Sequence, residues 1–122
     1  MKKILVVDDD AMNLRVAEFI LGKAEAYEIL KASSGEECLE VLEKESIDLV
    51  LLDVEMPGMN GIKTLEIIRE KQETANLAAM FLSADEAVTT KEAAERLGAL
   101  AFIKKPFMPQ DLLDNVAKVF AE

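Results

Sequence analysis

The segment Val50 to Gly61, VLLDVEMPGMNG, constrains the fold more than any other stretch. The apolar run Leu49 to Leu52 stops at one carboxylate, Asp53, and Met56-Pro57-Gly58 and Asn60-Gly61 then turn the chain. A short run that is apolar at every position fits a strand buried on both faces, as in a parallel sheet. Such a strand delivers Asp53 to its C-terminal end, the edge at which open α/β sheets bind ligands. The third strand is therefore expected over Ile47 to Asp53.

The rest of the chain repeats that design. Ile4 to Val7 is a second continuous apolar run, ended by Asp8-Asp9-Asp10. Residues 11–22 carry Leu14, Ala17, Ile20 and Leu21 at helical spacing, with Gly22 as the stop. Tyr27 to Ala32 reads as a weaker strand. Ser34 and Glu37 match a capping box, opening a helix with Cys38, Leu39, Val41 and Leu42 on its apolar face. Ile62, Leu65, Ile67 and Ile68 mark a third helix to about Lys71, and residues 72–77 read as polar loop. Ala78 to Leu82 is a fourth strand ended by Ser83, and Ala87 to Leu97 a fourth helix stopped by Gly98. Ala99 to Ile103 is a fifth strand ended by Lys104-Lys105-Pro106. Pro109 suits the first turn of a last helix carrying Leu112, Leu113, Val116, Val119 and Phe120.

Five βα units imply a parallel sheet covered on both faces. Right-handed crossovers leave few topologies. The expectation is a flavodoxin-like, doubly wound (βα)5 sandwich with strand order 2-1-3-4-5, formed by residues 1–122 as one domain. In that order strands one, three, four and five are contiguous. Their ends then bring Asp8, Asp9, Asp53, Ser83 and Lys105 to one edge.

Carboxylates crowded within a few ångströms resist ionising together. A hard divalent cation resolves the conflict, and magnesium is commonly held by one or two carboxylates with waters and a phosphate, manganese being the alternative ion. Lys105 can pair with Asp53 or with a phosphoryl oxygen, and Ser83 offers a hydroxyl donor. Phosphoryl transfer needs mainly positioning and charge neutralisation, and an aspartate carboxylate can be the nucleophile. Asp10 suits the N-cap of the first helix. Lys104, Arg15, Arg69 and Arg96 read as solvated charges, Cys38 as core, and Met56 and Met59 as packing around the turn.

The motifs ILVVDDD, VLLDVEMPGMNG, FLSADE and IKKPF, in this order, resemble the response-regulator receiver (CheY-like) domain of two-component signalling, over essentially the whole chain. The resemblance implies phosphotransfer from a partner's phosphohistidine to Asp53. It implies that Asp9 and Asp53 bind the metal directly, Asp8 mainly through water, and Glu55 through its backbone carbonyl. It places Ser83 and Lys105 at the phosphoryl-contacting positions and Phe102 at the aromatic switch position, where many members carry tyrosine. It also implies a cis Lys105–Pro106 bond, and donor specificity on the first helix near Met12, Asn13, Arg15 and Val16. Glu55 and Asp85, two residues after Asp53 and Ser83, flank the expected path of hydrolytic water and are expected to tune the acyl-phosphate lifetime.

The implied partners are a sensor histidine kinase or a histidine phosphotransfer protein, and a downstream output domain or protein. The sheet-edge helices also leave room for a homodimer through the fourth helix, fifth strand and fifth helix, which no residue pattern specifies. A net charge of −10 argues against direct nucleic-acid contact. One cysteine suits a reducing compartment. No apolar run approaches a membrane span, and four apolar residues after Lys3 are too few for a signal peptide, so a cytoplasmic location is expected. The chain has no histidine, so an imidazole must come from a partner. The competing reading is a phosphatase of the haloacid-dehalogenase type, with Asp8 and Asp10 as its D-x-D pair. Against it stand Met12 at a position where that family carries Thr or Val, and the lack of an acidic pair after the lysine outside a helix. A phosphorylation-independent interaction module is the third reading.

Overall fold

A computed structural model describes residues 1–84 and 88–121, with backbone only at Val88 and Thr89. Five strands alternate with five helices. The strands are β1 (Lys2–Val7), β2 (Tyr27–Ala32), β3 (Leu49–Asp53), β4 (Ala78–Ser83) and β5 (Phe102–Lys104). The helices are α1 (Ala11–Gly22), α2 (Gly35–Lys44), α3 (Gly61–Glu70), α4 (Val88–Arg96) and α5 (Pro109–Phe120). All strand pairs are parallel, and the order is β2-β1-β3-β4-β5. The flavodoxin-like expectation holds.

Period-two alternation splits the core into two layers. Leu5, Val7, Val50, Leu52, Ala79 and Phe81 face Cys38, Leu65, Ile68 and Ala94 of α2, α3 and α4. Ile4, Val6, Leu49, Leu51, Met80, Leu82 and Ile103 face Ala17, Ile20, Leu21, Leu112 and Val116 of α1 and α5. Every residue of β3 is buried, which is why its sequence reads as a continuous apolar run up to Asp53. Cys38 is core as expected, and burial pushes its thiol up to about 12. Met56 is buried as packing.

The helix ends follow local chemistry. Asp10 caps α1, its carboxylate accepting from the Met12 N–H at 2.9 Å. Ser34 caps α2 by accepting from the Glu37 N–H at 3.1 Å. The reciprocal half of the box differs: the Glu37 carboxylate accepts from Ser33 N–H, not from Ser34 N–H. Asn60 caps α3 by accepting from the Lys63 N–H at 2.8 Å. Gly98 ends the fourth helical segment at φ +72, and the next N–H, of Ala99, donates back to the Ala94 carbonyl at 2.9 Å.

Four expectations need correction. β3 begins at Leu49 rather than at Ile47. β5 spans three residues rather than starting at Ala99, although the Leu100 N–H already donates to the Ala79 carbonyl at 2.8 Å and the Ala101 carbonyl accepts from the Phe81 N–H at 3.1 Å. Residues 72–74 form a single 3-10 turn within the segment read as loop. Arg69 is not a surface charge. It turns inward, donating from Nε to the Leu97 carbonyl at 2.8 Å and from Nη1 to the carbonyls of Leu77 at 2.7 Å, Ala75 at 3.2 Å and Thr74 at 3.4 Å. One guanidinium thereby ties α3 to the 3-10 turn and to the end of α4. Replacing it leaves part-buried carbonyls unpaired. Arg69→Met is expected to lower the urea-unfolding free energy by about 2 kcal/mol, and Arg69→Lys to recover little, because an ammonium cannot reproduce the planar fork.

Candidate functional site

The C-terminal ends of β1, β3, β4 and β5 meet at one edge, as the topology requires. Asp8 follows β1 directly and its N–H extends the ladder to the Ala32 carbonyl at 3.1 Å. Asp53 closes β3, and Ser83 closes β4. Lys105 follows β5, and its N–H donates to the Ser83 carbonyl at 2.9 Å. The Lys105–Pro106 bond is cis, as the resemblance implied.

The side chains converge tightly. Asp8 is fully buried and Asp53 is 1% exposed. The Lys105 ammonium lies 2.9 Å from Asp8 Oδ2 and 2.9 Å from Asp53 Oδ1, bridging the two carboxylates. Asp8 Oδ1 accepts from the Asp10 N–H at 3.0 Å, and Asp53 Oδ1 accepts from the Glu55 N–H at 3.2 Å. Asp8 Oδ2 pairs with the Lys105 ammonium and has no further partner among the described residues. Carboxylate oxygens of Asp8, Asp9 and Asp53 all lie within 4.8 Å of one another, with Asp9 on the solvent side.

Burial pushes the Asp53 carboxyl up to about 7. The Lys105 hydrogen bond and charge oppose that shift, while the Asp8 charge adds to it. For Lys105, burial works downward, but the hydrogen bonds and charges of Asp8 and Asp53 outweigh it and hold the ammonium above its ordinary value. The cluster thus carries more negative charge than its one lysine neutralises, around a donor set of hard oxygens.

The turn after β3 supports Asp53 from below. Gly58 adopts φ +75, a conformation that favours glycine. Gly61 lies so close to the Asp53 main-chain carbonyl that any Cβ there would collide with it. The sequence shows that glycine but not its contact, since no spacing rule links it to the backbone of Asp53.

Not every acid near the motif faces the cluster. The Asp10 carboxylate is occupied as the α1 cap. The acids that gather within reach of one ion are Asp8, Asp9 and Asp53, a set without Asp10, which speaks against Asp8 and Asp10 acting as a D-x-D pair. Ser83 is fully buried, and its hydroxyl donates to Glu55 Oε1 at 2.5 Å. That bond is invisible in the sequence, which only puts both residues near the same edge. Phe102 is half-buried against the layer formed with α2, α3 and α4. Asp85 lies outside the described residues.

A sequence model described as the response regulator receiver domain matches residues 4–117. The chain belongs to the response-regulator receiver domain family. The receiver domain is 36% identical over 109 residues to the aerobic respiration control protein ArcA of Escherichia coli strain K12, covering 89% of this chain and 44% of that protein. It is 34% identical over 117 residues to sporulation initiation phosphotransferase F of Bacillus subtilis strain 168, covering 96% of this chain and 92% of that one. Its fold superposes on chemotaxis protein CheY4 of Vibrio cholerae with a TM-score of 0.91 at 28% identity, over 98% of each chain. The chain thus spans less than half the length of ArcA and nearly all of the sporulation phosphotransferase. It is a two-component response-regulator receiver with the CheY-like fold, a type of domain used for signalling. Among the described residues, no helix is long and apolar enough to cross a membrane.

Proposed function

We propose that residues 1–122 form one receiver domain in which Asp53 accepts a phosphoryl group from the phosphohistidine of a sensor histidine kinase or a histidine phosphotransfer protein. The observation that carries this reading is the Lys105 ammonium held 2.9 Å from both Asp8 and Asp53 at the strand-end cluster. An Asp53 oxygen attacks phosphorus, and the P–N bond to the donor imidazole breaks as the new P–O bond forms. The imidazole leaves as the neutral ring, keeping on its other nitrogen the proton it already carried, and it belongs to the partner because this chain has no histidine.

The three gathered carboxylates fit a hard divalent ion. Asp9 and Asp53 would hold magnesium or manganese directly, Asp8 through water, and Glu55 through its main-chain carbonyl. The ion supplies charge neutralisation for the phosphoryl oxygens. Lys105 pairs with the transferred group once Asp53 is an acyl phosphate. Ser83 donates its hydroxyl to another phosphoryl oxygen, and Phe102 follows Ser83 by changing rotamer. The surface of α4, β5 and α5 then differs between two states, and a downstream output domain or protein reads it through differential affinity. The same surface is the proposed homodimer contact. Glu55 and Asp85 set the acyl-phosphate lifetime. Catalysis by the chain itself is confined to self-phosphotransfer and autodephosphorylation. The charge of −10 supports partners other than nucleic acid, and the proposed location is the cytoplasm.

Acetyl phosphate with magnesium, followed by intact-mass measurement, tests the reading. One added phosphoryl group is expected, absent with EDTA and absent in Asp53→Asn. Retention of the gain in Asp53→Asn rejects the assignment.

A further inference from the structure

We propose that Glu55 acts as a latch on the switch hydroxyl: in the resting state its carboxylate holds Ser83, and the phosphoryl group must take Ser83 away from it. The inference rests on the phosphoacceptor reading and adds a positioning residue to it.

The geometry is specific. The Ser83 Oγ to Glu55 Oε1 distance of 2.5 Å is that of a charge-assisted O–H···O⁻ bond, stronger than a neutral one. A serine hydroxyl has one proton to donate. While that proton points at Glu55, it is not available to a phosphoryl oxygen on Asp53. Glu55 is also tied to the acceptor directly, through its N–H to Asp53 Oδ1 at 3.2 Å. The residue therefore spans from the end of β3 to the end of β4, with its backbone on the acceptor and its carboxylate on the switch. Ser83 is fully buried while Glu55 is exposed, so the carboxylate is the partner able to move into solvent when the bond is broken. Both residues make other contacts as well, and the competition needs only the bond described.

The latch biases a two-state equilibrium. A ligand shifts such an equilibrium only by its differential affinity for the two states. Part of the phosphoryl group's affinity for Ser83 is spent displacing Glu55. Removing the carboxylate should therefore strengthen binding of a phosphoryl mimic. A charge-repulsion role predicts strengthening too, but through the whole site and without reference to Ser83.

Beryllofluoride at fixed magnesium is the probe, and its affinity is read by 19F NMR titration. The proteins are wild type, Glu55→Gln, Glu55→Ala, Ser83→Ala and the Glu55→Ala/Ser83→Ala double variant. Glu55→Ala is expected to bind about tenfold tighter than wild type, the scale of one hydrogen bond to a charged group. Glu55→Gln, which keeps a neutral acceptor, should fall between them. In the Ser83→Ala background the Glu55→Ala effect should shrink below about twofold, since the latch has nothing to hold. An equal effect in both backgrounds, or no tightening with Ser83 present, overturns the latch while leaving the phosphoacceptor reading intact. No beryllofluoride binding by wild type overturns that reading, and the latch with it.

Discussion

In EDTA, wild-type protein should lose stability relative to Asp53→Asn as the pH rises from about 4 to about 7. The reason is the Asp53 carboxyl, which burial, with help from the Asp8 charge, pushes from 3.8 up to about 7 against the pull of Lys105. Between those values the folded state keeps a proton that the unfolded state has released. Stability then falls with rising pH, because the folded state binds more protons. The favourable contribution is fully present below 3.8 and is gone above about 7. A shift of this size corresponds to a change on the order of 2–4 kcal/mol. The difference between wild type and Asp53→Asn isolates the one group. Urea unfolding of both at pH 4.5, 6 and 7.5 reads it. A gap that stays constant across the three pH values contradicts the crowded-acid account. Above pH 7, magnesium should restore wild type but not the variant, by about 2.7 kcal/mol at a hundred times its dissociation constant.

Lys105→Met should produce the second large effect. The Lys105 side chain is 14% exposed, and its ammonium bridges two carboxylates that are themselves almost wholly buried. Removing one partner of a buried ion pair costs about 3–5 kcal/mol, because it strands the other charge. Here the loss is pH-dependent. Without the lysine opposing it, the Asp53 shift grows upward, so a proton neutralises Asp53 more readily and part of the loss is recovered in acid. The expected result in EDTA is about 3 kcal/mol lost at pH 8 and a smaller loss at pH 5. The lysine itself stays charged across this range, since its own value is held above 10.5. A variant as stable as wild type at pH 8 would show that the ammonium is not what holds the two acids together.

Much of this protein is readable from its residues, for physical reasons. The apolar runs before Asp8 and Asp53 are continuous because their strands are buried on both faces. The topology leaves few strand orders, so the residues ending those runs are also the residues of the site. Asp10 could be told apart from Asp8 because a helix cap has a defined offset from the first turn. What the sequence hides is side-chain direction. Arg69 occupies a helix position that reads as solvent-facing, yet its fork finds carbonyls supplied by segments 5 to 28 residues away. Glu55 and Ser83 are 28 residues apart, and no local spacing announces their bond. Gly61 looks like a turn residue, while its packing against the Asp53 carbonyl depends on how α3 leaves the strand.

The central claim is that Asp53, and no other carboxylate, becomes an acyl phosphate. Borohydride reduction of the phosphorylated protein converts the modified aspartate to homoserine, and peptide fragmentation then locates it. Homoserine is expected at position 53 alone, in protein treated with acetyl phosphate and magnesium. Homoserine at Asp8, Asp9 or Asp10, with Asp53 unmodified, would contradict it.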